Sequence, residues 1–200
     1  MSPAVTQELI NAAEALAAMA RRRRQRRALV LSGARDQGLQ AARVLLERLA
    51  PGAVHWFSDA APPGAEASQG NAALGLLGSE LDALVFDAYS GFDPNAFGAL
   101  TGTLRGGALL LLVTPPLSDW AQFPDPQNQR ITVAPYRAEQ LSGRFLQRLV
   151  RVLESDPEVL LCEGGKPLRV PVDTGSPAES YPRAAADPCR SDDQRRAVQA

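Results

Sequence analysis

The sequence predicts an α/β domain in which a mainly parallel sheet is covered by helices on both faces. Short apolar runs alternate with amphipathic segments along the chain, and glycine or proline follows several of these runs. Strands of a parallel sheet are buried on both faces, and parallel neighbours need helical crossovers between them. We therefore expect three layers, with helices on either side of one sheet.

The first part of the chain predicts a helix followed by alternating strands and helices. Residues 6–20 carry apolar side chains at spacings of three and four, which is typical of an amphipathic helix. Residues 28–31 form an uninterrupted apolar run, which indicates a buried strand, and residues 37–49 return to helical spacing. A second strand over 54–57 and a short helix over 71–77 complete this part.

The second part predicts the same alternation. Residues 81–87 form the best strand pattern, an apolar run that ends at a carboxylate, and Asp93 is placed to cap a helix over 94–104. Further strands are predicted over 109–114, 131–134 and 159–162. A helix is predicted over 138–153, with its apolar side chains at Leu141, Phe145, Leu149, Val152 and Leu153.

The composition changes near Asp173, which divides the chain into a domain over 1–172 and a tail. Residues 173–190 are rich in small and polar residues without periodicity, which predicts a linker. Residues 191–200 begin with a serine and two acids, which predicts the start of a further helix. We interpret this helix as the beginning of a following domain that has been removed.

Composition argues against several kinds of site. The two cysteines, Cys162 and Cys189, are far apart and form neither a disulfide framework nor a zinc ligand pair. His55 is the only histidine, is expected at a surface strand position, and accompanies no GxSxG serine, so a catalytic triad is not indicated. Because no apolar run approaches the roughly 20 residues of a membrane span, we expect a cytoplasmic protein without a membrane partner.

One turn has the spacing of a phosphate-binding loop but lacks its chemistry. Gly33 and Gly38 lie five residues apart between a predicted strand and helix. Leu39 and Gln40 follow, where such a loop needs lysine and then serine or threonine. Asp87 ends a strand as a magnesium-binding aspartate does, but no glutamate follows it. These features predict an ATPase-like fold without a functional nucleotide site, in which Asp87 is structural or vestigial and no metal or nucleotide is bound.

A basic cluster follows the first predicted helix and comprises Arg21, Arg22, Arg23, Arg24, Arg26 and Arg27. Locally concentrated positive charge binds phosphate, so these arginines are candidate RNA-binding residues. Without aromatic residues between them, they would contact the backbone rather than read bases. The alternative is a solvated helix end, where arginine suits the negative end of the helix dipole. The sequence leaves both interpretations open.

Several segments resemble the N-terminal domain of bacterial tRNA(Met) cytidine acetyltransferases. They are residues 29–33, Phe86-Asp87-Ala88 with Gly91-Phe92-Asp93, residues 96–104, and Trp120 with Pro124-Asp125. Their order and spacing cover most of residues 20–170. The resemblance implies a Rossmann-like or RecA-like domain without nucleotide motifs, which helps to hold the tRNA or the other domains of the parent protein.

The same resemblance implies the chemistry of a longer parent protein. Family members make N4-acetylcytidine at the wobble position of elongator methionine tRNA, and use ATP, magnesium and acetyl-CoA in a helicase-like module and a GNAT-type acetyltransferase domain. This chain is then expected to be noncatalytic, with tRNA and those two domains as partners. Gln194, after Asp193, matches a glutamine ahead of the family's phosphate-binding loop, which implies contact with ATP in the parent only. A protein-binding scaffold and a stand-alone nucleotide-binding α/β enzyme are the alternatives.

Overall fold

Six parallel strands form the sheet at the centre of the computed structural model, which describes residues 6–164, 166 and 168–171. The strands are β1 (Arg27–Ser32), β2 (Val54–Phe57), β3 (Ala67–Ser68), β4 (Leu81–Asp87), β5 (Leu104–Thr114) and β6 (Leu160–Glu163). Their order across the sheet is β3-β2-β4-β5-β1-β6, and each neighbouring pair is parallel. The predicted parallel α/β fold is therefore confirmed, and it is consistent with a Rossmann-like or RecA-like domain.

Helices cover both faces of this sheet. They are α1 (Gln7–Arg23), α2 (Arg35–Leu49), α3 (Pro94–Gly102), α4 (Leu117–Trp120), α5 (Pro126–Ile131) and α6 (Arg144–Ser155), with 3-10 turns at Gly70–Leu76, Ala88–Ser90 and Ala138–Gln140. Helices α1 and α2 bury their apolar sides on one face, whereas α3, α4 and α6 pack on the other. None of the helices in the described part of the chain is long and apolar enough to cross a membrane.

Because side chains alternate along each strand, each central strand contributes to the apolar cores on both faces of the sheet. In β1, Leu29 and Leu31 pack against α1 and α2, whereas Val30 points into the opposite core. In β5, Leu111 and Leu112 divide between the two cores in the same way. Successive side chains of a strand point to opposite faces, so a central strand with both faces covered must be apolar throughout. This is why the strands could be recognised as uninterrupted apolar runs.

The predicted strand over 131–134 is wrong. Helix α5 occupies Pro126–Ile131, because the Asp125 side chain accepts a hydrogen bond from the Gln127 backbone nitrogen at 2.8 Å and proline stands at the first helical position. Ile131 and Val133, which produced the apolar pattern, are 58% and 75% exposed. The segment therefore lies outside the sheet, and its apolar side chains face solvent.

The helix predicted over 138–153 begins later than expected. Gly143, with φ of 60°, precedes α6, and a Cβ placed there would meet the backbone of Ala121. Of the predicted apolar side chains, Leu141, Phe145 and Val152 are exposed, Leu149 is partly buried and Leu153 is buried. Val150, which the predicted stripe did not include, is also buried. The predicted linker over 173–190 and the helix start over 191–200 lie outside the described residues.

Candidate functional site

The carboxyl ends of the strands meet around one buried carboxylate. Asp87, the last residue of β4, is fully buried, and its Oδ2 accepts hydrogen bonds from Arg35 Nη2 at 2.7 Å, Ser58 Oγ at 2.7 Å and Ser90 Oγ at 3.0 Å. Its other oxygen accepts the Tyr89 backbone N–H at 3.1 Å. A buried carboxylate needs such a full set of donors, so this network is a closed structural unit.

Arg35 brings the positive charge to this network. It is the first residue of α2, and besides Asp87 it pairs with Asp59, the residue after Ser58. Burial lowers the pKa of Arg35, but its hydrogen bonds to Asp87 and Asp59 outweigh that effect and raise the pKa overall. Burial alone would raise the pKa of Asp59. The hydrogen bond and charge of Arg35 outweigh this effect, so the pKa of Asp59 lies below its ordinary value. Arg35 therefore stays charged and bridges two carboxylates.

The turn with phosphate-loop spacing is held by packing and hydrogen bonds within the protein. Gly33 has φ of 145°, and its carbonyl accepts a hydrogen bond from the Tyr89 hydroxyl. Gly38 lies inside α2, where a Cβ would stand 2.6 Å from Cγ1 of Val113 on β5. Gly38 thus allows α2 to approach the sheet closely, which accounts for the second glycine of the pattern without a phosphate.

A nucleotide with its magnesium ion does not fit the residues at this edge. Leu39 packs against the core of α1 and α2, in the position where a phosphate-binding loop carries lysine, and Gln40 follows it. The carboxylate that would serve magnesium, Asp87, is already neutralised by Arg35 at 2.7 Å. The loop thus lacks its lysine, the carboxylate at the strand end is already paired, and we derive no chemical step at this edge.

His55 is buried inside the fold, and Cys162 is half-buried against the core formed with α1 and α2. His55 was expected on the surface but is buried, because β3 adds to the sheet beside β2, and its Nε2 lies 2.8 Å from the Ser68 hydroxyl. Burial lowers the pKa of His55, and the charge of Glu66 offsets part of this. Burial also raises the pKa of the Cys162 thiol, with further contributions from Glu8 and Glu163. A thiol with a raised pKa is a poor nucleophile.

The arginine cluster lies at the opposite, amino edge of the sheet, and two of its members are buried. Arg27 begins β1, and its guanidinium lies 2.9 Å from Glu158 and donates to Gln25 at 2.7 Å. Arg23 is also buried. These two arginines therefore belong to the packing of the domain, although the sequence pattern does not separate them from their neighbours.

The other four arginines of the cluster are exposed. Arg24 ends α1 in the left-handed conformation, with φ of 52°, and Arg26 donates through its guanidinium to the carbonyls of Leu104 and Gly102. Arg21 lines a cavity of about 290 Å³ together with Arg105. Because β1 spans six residues between the cluster and Gly33, roughly 20 Å separates this edge from the Arg35 network.

The family described as tRNA(Met) cytidine acetyltransferase TmcA, N-terminal, matches residues 1–164. The chain belongs to this family. The protein of Nitrosococcus halophilus (strain Nc4) named tRNA(Met) cytidine acetyltransferase TmcA is 48% identical over 189 residues, which cover 92% of this chain and 25% of that protein.

Two further relatives carry the same name. The protein of Yersinia pestis (strain D106004) is 37% identical over 157 residues, covering 78% of this chain and 22% of that protein. That of the archaeon Haloferax volcanii (strain ATCC 29605 and equivalents) is 36% identical over 156 residues, covering 75% of this chain and 21% of that protein. The chain therefore spans about a quarter of the length of these relatives.

The segments that carry the family resemblance have structural roles. Phe86 stacks on Phe57 with ring centroids 4.6 Å apart, and Phe92 packs edge-on against the buried Trp120 at 5.4 Å. Asp93 caps α3, as predicted, by accepting a hydrogen bond from the Asn95 backbone at 2.8 Å, and Asp125 accepts one from the Phe92 backbone at 3.1 Å. These residues build the fold, so the resemblance identifies the family without marking a reaction centre.

Sequence reasoning missed Arg35 together with its partners Ser58 and Ser90. The sequence signal for this site was weak, because a single arginine at a helix start has many uses. The available signal was that Ser58 and Asp87 directly follow apolar runs, since the carboxyl ends of parallel strands meet at one edge. Gln194 lies outside the described residues.

Proposed function

We propose that this chain is a noncatalytic domain of a tRNA(Met) cytidine acetyltransferase, which contributes to tRNA binding and to holding the other domains in place. Family membership and the names of the relatives support this proposal. The observation that carries the noncatalytic role is the internal ion pair of Arg35 with Asp87, which engages the carboxylate that a magnesium-bound nucleotide would need. In the parent, the product would be N4-acetylcytidine at the wobble position of elongator methionine tRNA.

The cofactors belong to the parent protein in this proposal. Acetyl-CoA, ATP and magnesium are assigned to the acetyltransferase and helicase-like domains, because the carboxyl edge described above does not fit a nucleotide. Gln194 is proposed to contact ATP only in the parent. A tRNA-modifying protein of this kind would work in the cytoplasm, where its substrate is found.

For the tRNA contact we propose the exposed arginines at the amino edge: Arg21, Arg22, Arg24 and Arg26. Arg23 and Arg27 are assigned a supporting role, since both are buried. Arginine suits this task because its planar guanidinium donates two parallel hydrogen bonds to a phosphate. A surface of this kind contributes affinity and orientation rather than base recognition.

A scaffold role is the second candidate, and a separate surface supports it. Val133, Tyr136 and Phe145 are 75%, 70% and 53% exposed. The same part of the chain, from Ala121 to Ser142, lines a cavity of about 640 Å³. Leu141, which is 40% exposed, lines this cavity, and exposed apolar side chains at a cavity are typical of protein interfaces. This surface is suited to another domain of the parent, and both roles can coexist in one domain.

Binding of elongator methionine tRNA by the purified chain over a salt series tests the proposal. The variant R21Q/R24Q should bind more weakly, and its log-log salt slope should be smaller by about 2 if each arginine contacts one phosphate. R43Q/R48Q is the matched control, because it removes two exposed arginines that pair with Glu47 and Glu14. If the unaltered chain does not bind tRNA, the tRNA-holding role is rejected and the scaffold role remains.

A further inference from the structure

Helix α6 presents a row of arginines on its outer side. Arg144, Arg148 and Arg151 are all exposed and stand at positions i, i+4 and i+7. With 3.6 residues per turn, these positions fall on one face of the helix. The buried residues Val150 and Leu153 lie on the other side, where the helix packs on the sheet. The row is therefore directed away from the domain.

These three arginines carry charge that the described part of the chain does not neutralise. No carboxylate among residues 6–164 forms an ion pair with any of them, and Arg151 Nε has only a long contact, 3.4 Å, to the Gln147 carbonyl. By contrast, Arg43 and Arg48 on α2 face Glu47 and Glu14. In a protein with a net charge of −1, α6 is thus a local positive surface.

The shape of this face suits an extended anionic ligand. Arg148 and Arg151 line a shallow groove of about 310 Å³ with Val152 and Ser155. The row from Arg144 to Arg151 covers about 10 Å of the helix axis, since each residue adds about 1.5 Å. Three guanidinium groups spread over this length can follow several neighbouring phosphates, whereas a single free phosphate would engage only one or two of them.

The end of α6 lies at the same edge of the sheet as the arginine cluster. Glu158, three residues after the helix, pairs with Arg27 at the start of β1 at 2.9 Å. Helix α1, which carries Arg21 and is followed by Arg24, packs on the opposite face of the sheet. An elongated ligand that contacts the amino edge could therefore continue along α6.

We propose that the outer face of α6 binds the phosphate backbone of RNA through Arg144, Arg148 and Arg151. This inference rests on the proposed tRNA-holding function and adds a second surface to it. Among the described residues the charge of the row is unpaired, which favours a polyanion, whereas the neighbouring exposed Phe145 would favour a protein partner. RNA is the occupant that explains three arginines in one row without any carboxylate between them.

The test compares tRNA affinity of the chain with that of R148Q/R151Q between about 50 and 200 mM salt. Loss of two phosphate contacts should reduce the salt slope by about 2 and weaken binding roughly 10-fold or more at the low-salt end. Glutamine keeps helix propensity close to that of arginine, so the fold should be retained and can be checked by circular dichroism. R43Q/R48Q removes the same charge from α2 and should retain the original slope.

Four outcomes are informative. A smaller salt slope of tRNA binding for R148Q/R151Q, with an unchanged slope for R43Q/R48Q, supports RNA binding by the outer face of α6. Binding by the unaltered chain that R148Q/R151Q retains in full would overturn the α6 surface and leave the tRNA-holding function intact, with α6 then assigned to a protein partner. An equal loss in both variants would show that only total charge matters, and it would also overturn the inference. Absence of binding by the unaltered chain would overturn both proposals.

Discussion

The guanidinium of Arg35 lies 2.7 Å from Oδ2 of Asp87, so the first residue of α2 neutralises a fully buried carboxylate at the end of β4. The pair joins two elements that lie far apart in sequence, and Ser58 and Ser90 complete the donors around the same oxygen. This arrangement ties together the turns at the carboxyl edge of the sheet. In other parallel α/β folds, nucleotides bind at this same edge of the sheet.

Replacing Arg35 with alanine should destabilise the domain by about 3 kcal/mol, because a buried carboxylate loses its counter-charge. Urea unfolding measures this change. R35A/D87N should recover a large part of the loss, since the neutral amide needs no cation. Replacing Arg48 with alanine is the control: its exposed pair with Glu14 should contribute less than about 1 kcal/mol. A loss for R35A no larger than that for R48A would contradict the structural role of the pair.

Replacing Gly38 with alanine should destabilise the domain, although alanine normally favours a helix by about 1 kcal/mol over glycine. The new Cβ would stand 2.6 Å from Val113 Cγ1 and would force α2 away from β5. Trimming Val113 in G38A/V113A should reduce the penalty, so the two changes should be non-additive in unfolding experiments. Gly98 in α3 has open space around its Cβ position, and G98A should instead be neutral or stabilising. Strict additivity of G38A and V113A would argue against the close approach.

The only histidine should make stability depend on pH. Burial lowers the pKa of His55 in the folded domain, whereas in the unfolded chain it returns to about 6.5. The unfolded state therefore binds more protons between these two values, and stability should fall as the pH drops from about 6.5 towards the folded pKa. Urea unfolding at pH 7.5 and 5.5 should show a larger loss for the unaltered chain than for H55Q. Equal losses would show that His55 does not carry this dependence.

Arg169 should hold the end of α6 in place. Its guanidinium donates to the carbonyls of Leu153 and Glu154, the last turn of the helix, where a cation also suits the helix dipole. R169A should lower the free energy of unfolding by about 1 kcal/mol and increase the rate of amide hydrogen exchange in α6. Exchange in α2 should be unaffected. Uniform exchange changes in both helices would indicate a global rather than a local effect.

The sequence predicted the central strands well because their physical cause is simple. β4 and β2 were predicted at their observed bounds, since strands buried on both faces must be apolar from end to end. β5 begins at Leu104, earlier than predicted, because Arg105 and two glycines interrupt its apolar run. The segment around Val133 was misread because apolar residues there face solvent instead of a core.

The candidate sites were only partly predictable, because tertiary contacts decide what each charged residue does. Arg23 and Arg27 are indistinguishable in sequence from Arg22 and Arg24, yet they are buried. Arg35 gained its importance from Asp87, which lies 52 residues away. The arginine row of α6 became visible only when the buried side of that helix was known, since the predicted apolar stripe included Phe145 and Val152, which are exposed.

The affinity of the chain for elongator methionine tRNA, measured with and without millimolar magnesium-ATP, tests the central claim most directly. We predict tRNA binding with a steep salt dependence, and we predict that ATP leaves this binding unchanged when the magnesium concentration and ionic strength are matched. This result follows if phosphate is bound by surface arginines while the carboxyl edge is closed by Arg35 and Asp87. Absence of tRNA binding, or a saturable effect of ATP that the substitution Gly38→Trp abolishes, would contradict it.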